Sequence, residues 1–181
     1  MAYFGIPGYQ PQWLSDRSAV IAAHGGRLAS LIGRRLTDGW LVWDHRYAAW
    51  LADCPVVLNF GGEQIEICHQ EFDQLSITWN IIIPTARIEW SDADDTTGSA
   101  RLEWRNDADP RLAAFNGRRL VSIDLLEWDG RAGDFGNGTL AVSFGFGPER
   151  VTIANGLDEN ILEFGRPHSC YRSHPIASAR R

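Results

Sequence analysis

The sequence predicts an α+β fold, mostly β. Two pseudo-symmetric strand–loop–β-hairpin units form a single barrel- or sandwich-like antiparallel core, with an N-terminal helix against it. Three observations predict this. The stretch RLASLIGRRL at 27–36 recurs as RLAAFNGRRL at 111–120. The same series of signals follows each copy: an apolar stretch ending on Trp-Asp, a polar loop, then two apolar runs joined by a tight turn. Alternation of apolar and polar residues, the period of a half-buried strand, dominates beyond the N-terminal region.

SDRSAVIAAHGG at 15–26 is the best helix candidate, with Ser15 as cap, Asp16 in the first turn and Gly25-Gly26 as the stop. The repeated units occupy 27–83 and 111–164. In the second, DPRLAAFNG at 109–117 reads as a short helix. Asp109 caps it, Pro110 opens it, and Gly117 ends it in the left-handed conformation, as Gly33 does in the first unit. TDGWLVWD and VSIDLLEWD then give strands that close on Trp43-Asp44 and Trp128-Asp129. LNFGGEQIEI is a hairpin signal, because a Gly-Gly pair allows positive φ at both turn positions. Acidic turns follow, EFDQL in one unit and GLDEN in the other. LSITWNIII from Leu75 alternates as a strand.

RIEWS and RLEWR flank DADDTTGSA, so residues 86–105 read as a hairpin joining the units. Residues 165–181 lack periodicity and read as an irregular tail. The whole is expected to be one domain, 1–181, since a unit with one apolar face cannot bury it alone. Trp43, Trp79, Trp90, Trp104 and Trp128 fall at alternating strand positions and are expected to fill core. Trp50, in the loop DHRYAAWLADC, is expected to be partly exposed.

Composition excludes several classes of function. With 44% hydrophobic and 22% charged residues the chain is not disordered. A net charge of −6 argues against nucleic-acid and anionic-membrane binding and favours a basic partner. All 17 cationic side chains are arginine, but they are scattered, which fits coding bias better than anion recognition. No run reaches the roughly 20 apolar residues of a membrane span, and no leader is visible, so the expected location is the cytoplasm. Three widely spaced cysteines, Cys54, Cys68 and Cys170, suit free thiols.

No motif for chemistry survives. His168, Cys170 and His174 lie within seven residues, but a zinc site needs further ligands at fixed spacing. Cys68 and His69 point to opposite faces of a strand. Asp92, Asp94 and Asp95 resemble half a calcium loop, yet Thr97 stands where its glycine belongs. Asp44-His45 could orient a general base, but the second unit has Asp129-Gly130 there, so Asp44 reads as a turn residue. Neither a metal nor a cofactor is expected.

The leading expectation is a non-enzymatic protein-binding domain with a basic protein partner. Tyr47 and Trp50 would be its anchors and Asp92, Asp94 and Asp95 its acidic loop. Immunity proteins of bacterial toxin systems are domains of this type, an analogy of class and not of motif. The alternatives are a small-ligand-binding β-barrel and a structural or assembly subunit. An enzyme using Asp44, His45 and His69 ranks well behind.

Overall fold

The computed structural model describes residues 3–89 and 101–179. The fold is α+β and mostly β, with two antiparallel sheets and one substantial helix. In chain order the elements are β1 (Trp13–Leu14), α1 (Arg17–Ala29), β2 (Asp38–Asp44), β3 (Ala49–Trp50), β4 (Val56–Asn59), β5 (Gln64–Gln70), β6 (Gln74–Trp79) and β7 (Leu102–Arg105). There follow α2 (Pro110–Ala113), β8 (Ser122–Trp128), β9 (Leu140–Gly145), β10 (Arg150–Asn155), β11 (Asn160–Phe164) and β12 (Tyr171–Ser178). The first sheet runs β1-β6-β5-β4-β2-β3, with β7 also on β2; the second runs β11-β10-β9-β8-β12. The sheets are separate and share one core, so the sandwich-like arrangement, not a closed barrel, is what forms. Val56, Leu58, Ile65, Ile67 and Ile77 of the first meet Ile123, Leu125, Val142, Phe144 and Ile153 of the second.

The two copies of the repeated stretch clasp each other. Gly33 N donates to Leu120 O (2.8 Å) and Gly117 N to Leu36 O (2.7 Å). Leu36 N donates to Arg118 O (3.0 Å) and Leu120 N to Arg34 O (2.8 Å), around a bridge between Arg35 and Arg119. Gly33 (φ 86) and Gly117 (φ 82) take the left-handed conformation at which each helical turn ends. The GRRL segments are thus one small antiparallel joint between the sheets, and their arginine side chains stay at the surface.

Three expectations are corrected. The helix runs straight through Gly25-Gly26 to Ala29, and its cap is Asp16, whose Oδ1 accepts from Ala19 N at 2.9 Å. Two glycines cost about 2 kcal/mol of propensity. Burial of Val20, His24 and Leu28 on one face, one turn apart, outweighs that. Residues 165–181 are not an irregular tail, because Tyr171–Ser178 pairs with β8 along its whole length. Pro175 sits at a bulge on this edge strand, where a missing N–H is tolerated. Of the joining hairpin expected at 86–105, residues 90–100 lie outside the described ones; among the rest, residues 86–89 are in no strand and β7 pairs with β2.

The outer face of the first sheet is filled by its own chain. Ile6 and Tyr9 from the N-terminal segment, with Ile82 and Ile88 from the strap after β6, pack on Val42, Val57 and Cys68. Glu66 pins that strap. It is fully buried in β5 and accepts from Gln64 Nε2 (2.7 Å), Thr78 Oγ1 (2.7 Å), Ile81 N (3.0 Å) and Ile82 N (3.3 Å).

Candidate functional site

The outer face of the second sheet has a different composition. Cross-strand neighbours there are Leu126, Ala141, Ala154 and Ile161 in one row, and Asp124, Ser143, Thr152 and Glu163 in the next. Small side chains occupy β9 and β10, and the β11 edge carries the larger Ile161 and Glu163. Side chains of Tyr171 on one edge strand and of Ile161 and Glu163 on the other line the same cleft. Across a flat sheet those edges would lie about 19 Å apart, four spacings of about 4.8 Å. The sheet is therefore curled and this face is concave. Its floor is polar but satisfied: Arg150 Nη2 donates to Asp124 Oδ2 (2.6 Å), Ser173 Oγ to Asp124 Oδ1 (3.0 Å), and Thr152 Oγ1 to Ser143 Oγ (2.9 Å). Gly145 makes room for Arg150, because a Cβ there would stand 2.9 Å from Arg150 Nη2.

The cleft measures about 400 Å³. Trp128, Tyr171 and Ile161 line it, and its mouth is rimmed by Phe72 (59% exposed), Phe135 (87%) and Leu157 (64%). Trp128 is held on three sides. Its indole N–H donates to Asp134 Oδ2 (3.0 Å), its ring stacks on His168 (5.1 Å), and Tyr171 meets it edge-on (5.0 Å, 83°). The loop after β8 wraps this indole: Gly136 N donates to Asp134 Oδ1 (2.8 Å) and Gly130 N to Asn137 Oδ1 (2.6 Å). The indole N–H and Gly136 N hold the Asp134 carboxyl below the usual range. Phe135 is thus displayed from a fixed loop.

The other two rim residues sit on turns that are tied together. Asn155 Oδ1 accepts from Leu157 N (2.9 Å) and Asp158 N (3.2 Å), while its Nδ2 donates to Glu71 O (2.8 Å). Glu71 N in return donates to Asp158 Oδ1 (2.6 Å). Glu71 (φ 54), Leu157 (φ 69) and Asp158 (φ 85) all hold left-handed backbone, which costs a non-glycine residue about 1 kcal/mol or more each. Such strain is kept where surrounding bonds over-determine it, and Asn155 supplies those bonds. Asn155→Ala is expected to lower stability by about 1–2 kcal/mol. It should also raise amide exchange at Glu71, Leu157 and Asp158. Unchanged exchange would show that the turns hold without it.

One ionisable group in the cleft is uncompensated. Glu163 has no hydrogen-bonded or ion-paired partner among the described residues. Burial raises its pKa, with His168 partly offsetting the shift. Burial, and next the Glu163 charge, push the Tyr171 phenol well up. Every charged side chain in the cleft lining is an acid, Asp134 or Glu163.

Of the anticipated site residues, Tyr47 and Trp50 are described and lie away from the cleft. Tyr47 is exposed at a loop tip, with the Arg46 guanidinium 4.6 Å over its ring. Trp50 forms β3 opposite Trp43 and packs on the shared core with its indole N–H buried. Neither lines the cleft. Asp92, Asp94, Asp95 and Trp90 lie outside the described residues. His168, Cys170 and His174 are not gathered: His168 stacks on Trp128, while His174 bonds Glu127 Oε2 at 2.8 Å. No His, Cys, Asp and Glu cluster suited to a metal occurs among the described residues. Asp44 Oδ1 accepts from Arg46 N (2.7 Å), the turn role expected of it. Cys68 and His69 do face opposite sides of β5.

Of the Trp residues expected in core, Trp104 is buried but Trp128 lines the cleft. Its position at the end of β8, on the outer face, is what alternation alone does not reveal. Sequence reading also passed over Phe72, Phe135 and Leu157. The signal available was local: EFD, GDFG and GLDE each set one large apolar residue among acids and turn formers, where no core can take it. No helix among the described residues is long and apolar enough to cross a membrane. No protein-family model matches the chain, and no curated protein or solved structure matches it.

Proposed function

We propose that this chain is a non-catalytic protein-binding domain that docks a basic partner on the concave face of its second sheet. One observation carries the reading. Of seven exposed large apolar side chains among the described residues, three, Phe72, Phe135 and Leu157, rim a single cleft. Single exposed apolar residues need no explanation, whereas convergent ones on rigid loops mark interaction sites. Acids flank each of them: Glu71 and Asp73, Asp134, and Asp158 and Glu159. That pattern favours a cationic surface and speeds its approach. An immunity-type inhibitor of a basic toxin-like protein is one form such a domain takes. On this view the two repeated units are a duplicated scaffold, and function resides where they differ: one outer face is filled by the strap and the N-terminal segment, and the other carries the cleft.

The test uses the full chain carrying an affinity tag, with the retained protein identified by mass. The native chain and a Tyr47→Asp control are expected to retain the same protein. The double variant Phe72→Asp, Phe135→Asp should lose it by tenfold or more. Both variants should melt as the native chain does, since exposed substitutions change stability by about 0.5 kcal/mol or less. A partner indifferent to the double variant would remove this face from the interface.

A second reading is a small-ligand site, favoured by a cleft volume of about 400 Å³, within the common range for such pockets. Native mass spectrometry of the freshly purified chain separates the two, because a retained small molecule adds mass and a protein-docking cleft is empty.

A further inference from the structure

We infer that the anchor entering the cleft is a cationic side chain of the partner, an alkylammonium or a guanidinium, seated against Trp128 and Tyr171 with Glu163 as its counter-ion. The inference rests on the protein-binding reading and adds the chemistry of the group bound.

Four rings border the cleft, those of Phe72, Trp128, Phe135 and Tyr171. A cation over an aromatic face is attracted by the ring quadrupole, and more strongly where water is displaced. The two carboxyls differ. Asp134 already spends its oxygens on the Trp128 indole and Gly136 N. Glu163 is half-buried, and among the described residues it has neither a hydrogen-bond donor nor a cation paired with it. A neutral apolar anchor would bury that carboxyl further and leave it uncompensated, which is costly. An anionic anchor would meet two acids and no cation in the lining. A cationic anchor alone satisfies both the rings and the carboxyl. The acidic turns at the rim then favour the same charge on the way in.

Burial raises the carboxyl of Glu163, so the folded state holds its proton more tightly than the unfolded chain does. A raised carboxyl contributes stability at low pH that is lost as pH rises through its folded value. At neutral pH the charged form is therefore a cost to the fold. Glu163→Gln should melt no lower than the native chain, which separates a binding role from a structural one. The groups that face it are His168 and Tyr171, with Asp134 across the cleft.

The experiment titrates the full chain with Nα-acetyl-lysine amide and Nα-acetyl-arginine amide. Nα-acetyl-norleucine amide and Nα-acetyl-citrulline amide serve as neutral counterparts. The readout is the NMR signal of the Trp128 indole N–H. The cationic probes are expected to bind at least tenfold more tightly than their neutral counterparts, and Glu163→Gln should abolish that preference. Equal binding of cation and neutral, no binding by any probe, or a preference that survives Glu163→Gln would overturn the inference. The two readings fail separately. A partner lost with the Phe72 and Phe135 substitutions but unaffected by Glu163→Gln keeps the interface and removes the cation. Cation preference without any protein partner does the reverse.

Discussion

Replacing Glu66 by alanine is expected to destabilise the chain by about 3–5 kcal/mol, because each buried donor left without an acceptor costs about 1–3 kcal/mol and water recovers only part. The carboxyl is fully buried and serves four donors, two of them the backbone N–H groups of Ile81 and Ile82. Those two bonds start the strap whose Ile82 and Ile88 cover the first sheet's outer face. Gln64 completes the arrangement by donating to both Glu66 Oε1 and Ile82 O, each at 2.7 Å. Glu66→Gln preserves the shape but not the chemistry. The amide oxygen can keep the three N–H donors on Oε1, while the new NH₂ faces Thr78 Oγ1, a hydroxyl that can turn to accept, so a loss smaller than that of the alanine variant, about 1 kcal/mol, is expected. Urea unfolding measures both values. Exchange at the Ile81 and Ile82 amides should rise far more than exchange in β9. A loss under about 1 kcal/mol in the alanine variant would show that the strap is held by apolar packing alone.

How far the fold was legible depended on whether local signals agreed with tertiary demand. The hairpin between β4 and β5 was plain, because Gly61 and Gly62 supply φ of 64 and 93 between two apolar runs. The Gly25-Gly26 pair misled, since the same residue type that breaks a marginal helix is carried by one with a packed face. β12 was invisible for another reason. It is an edge strand that mixes polar and apolar residues without alternation and contains Pro175, so neither pattern nor propensity marks it. The recurrence of GRRL announced a shared scaffold, but that the two copies bond to each other is a long-range fact with no local trace.

The cleft was less legible still. Its aromatic wall needs Trp128 and Tyr171 brought together across the pairing of β8 with β12, which the sequence did not suggest. Its opposite wall, Ile161 and Glu163, comes from the far edge of a sheet whose strand order has no local trace. Only the rim left a readable mark, in turns that combine an exposed apolar residue with acids.

Acidification from pH 6.5 to about 4 is expected to remove stability, in large part through His69. It lies fully buried between the sheets, with Nδ1 3.0 Å from Asn160 Oδ1 and Nε2 3.0 Å from Leu140 O. A neutral imidazole has one N–H for these two acceptors, and only the protonated ring could donate to both. Burial opposes protonation and prevails, holding the group down at about 4 despite the Asn160 and Leu140 bonds. The sign follows from that direction. Above the unfolded value of 6.5 neither state binds the proton and nothing changes. Between 6.5 and about 4 the unfolded chain takes it up and the folded chain does not, so stability falls with pH. Below about 4 the loss is complete, at about 3 kcal/mol for a displacement of this size. The half-buried His24, also lowered, contributes in the same sense, so the comparison must be with His69→Gln over the same range. The native chain should lose about 3 kcal/mol more than the variant; parallel profiles would mean the ring is reached by water. Asn160 joins His69 to the carbonyls of Ala52 and Cys54, and β5 and β11, which carry His69 and Asn160, lead from the joined turns of Phe72 and Leu157. In the folded chain the ring stays neutral over that interval, so the joint is expected to hold while stability falls, and to loosen only as the folded ring takes the proton at about 4.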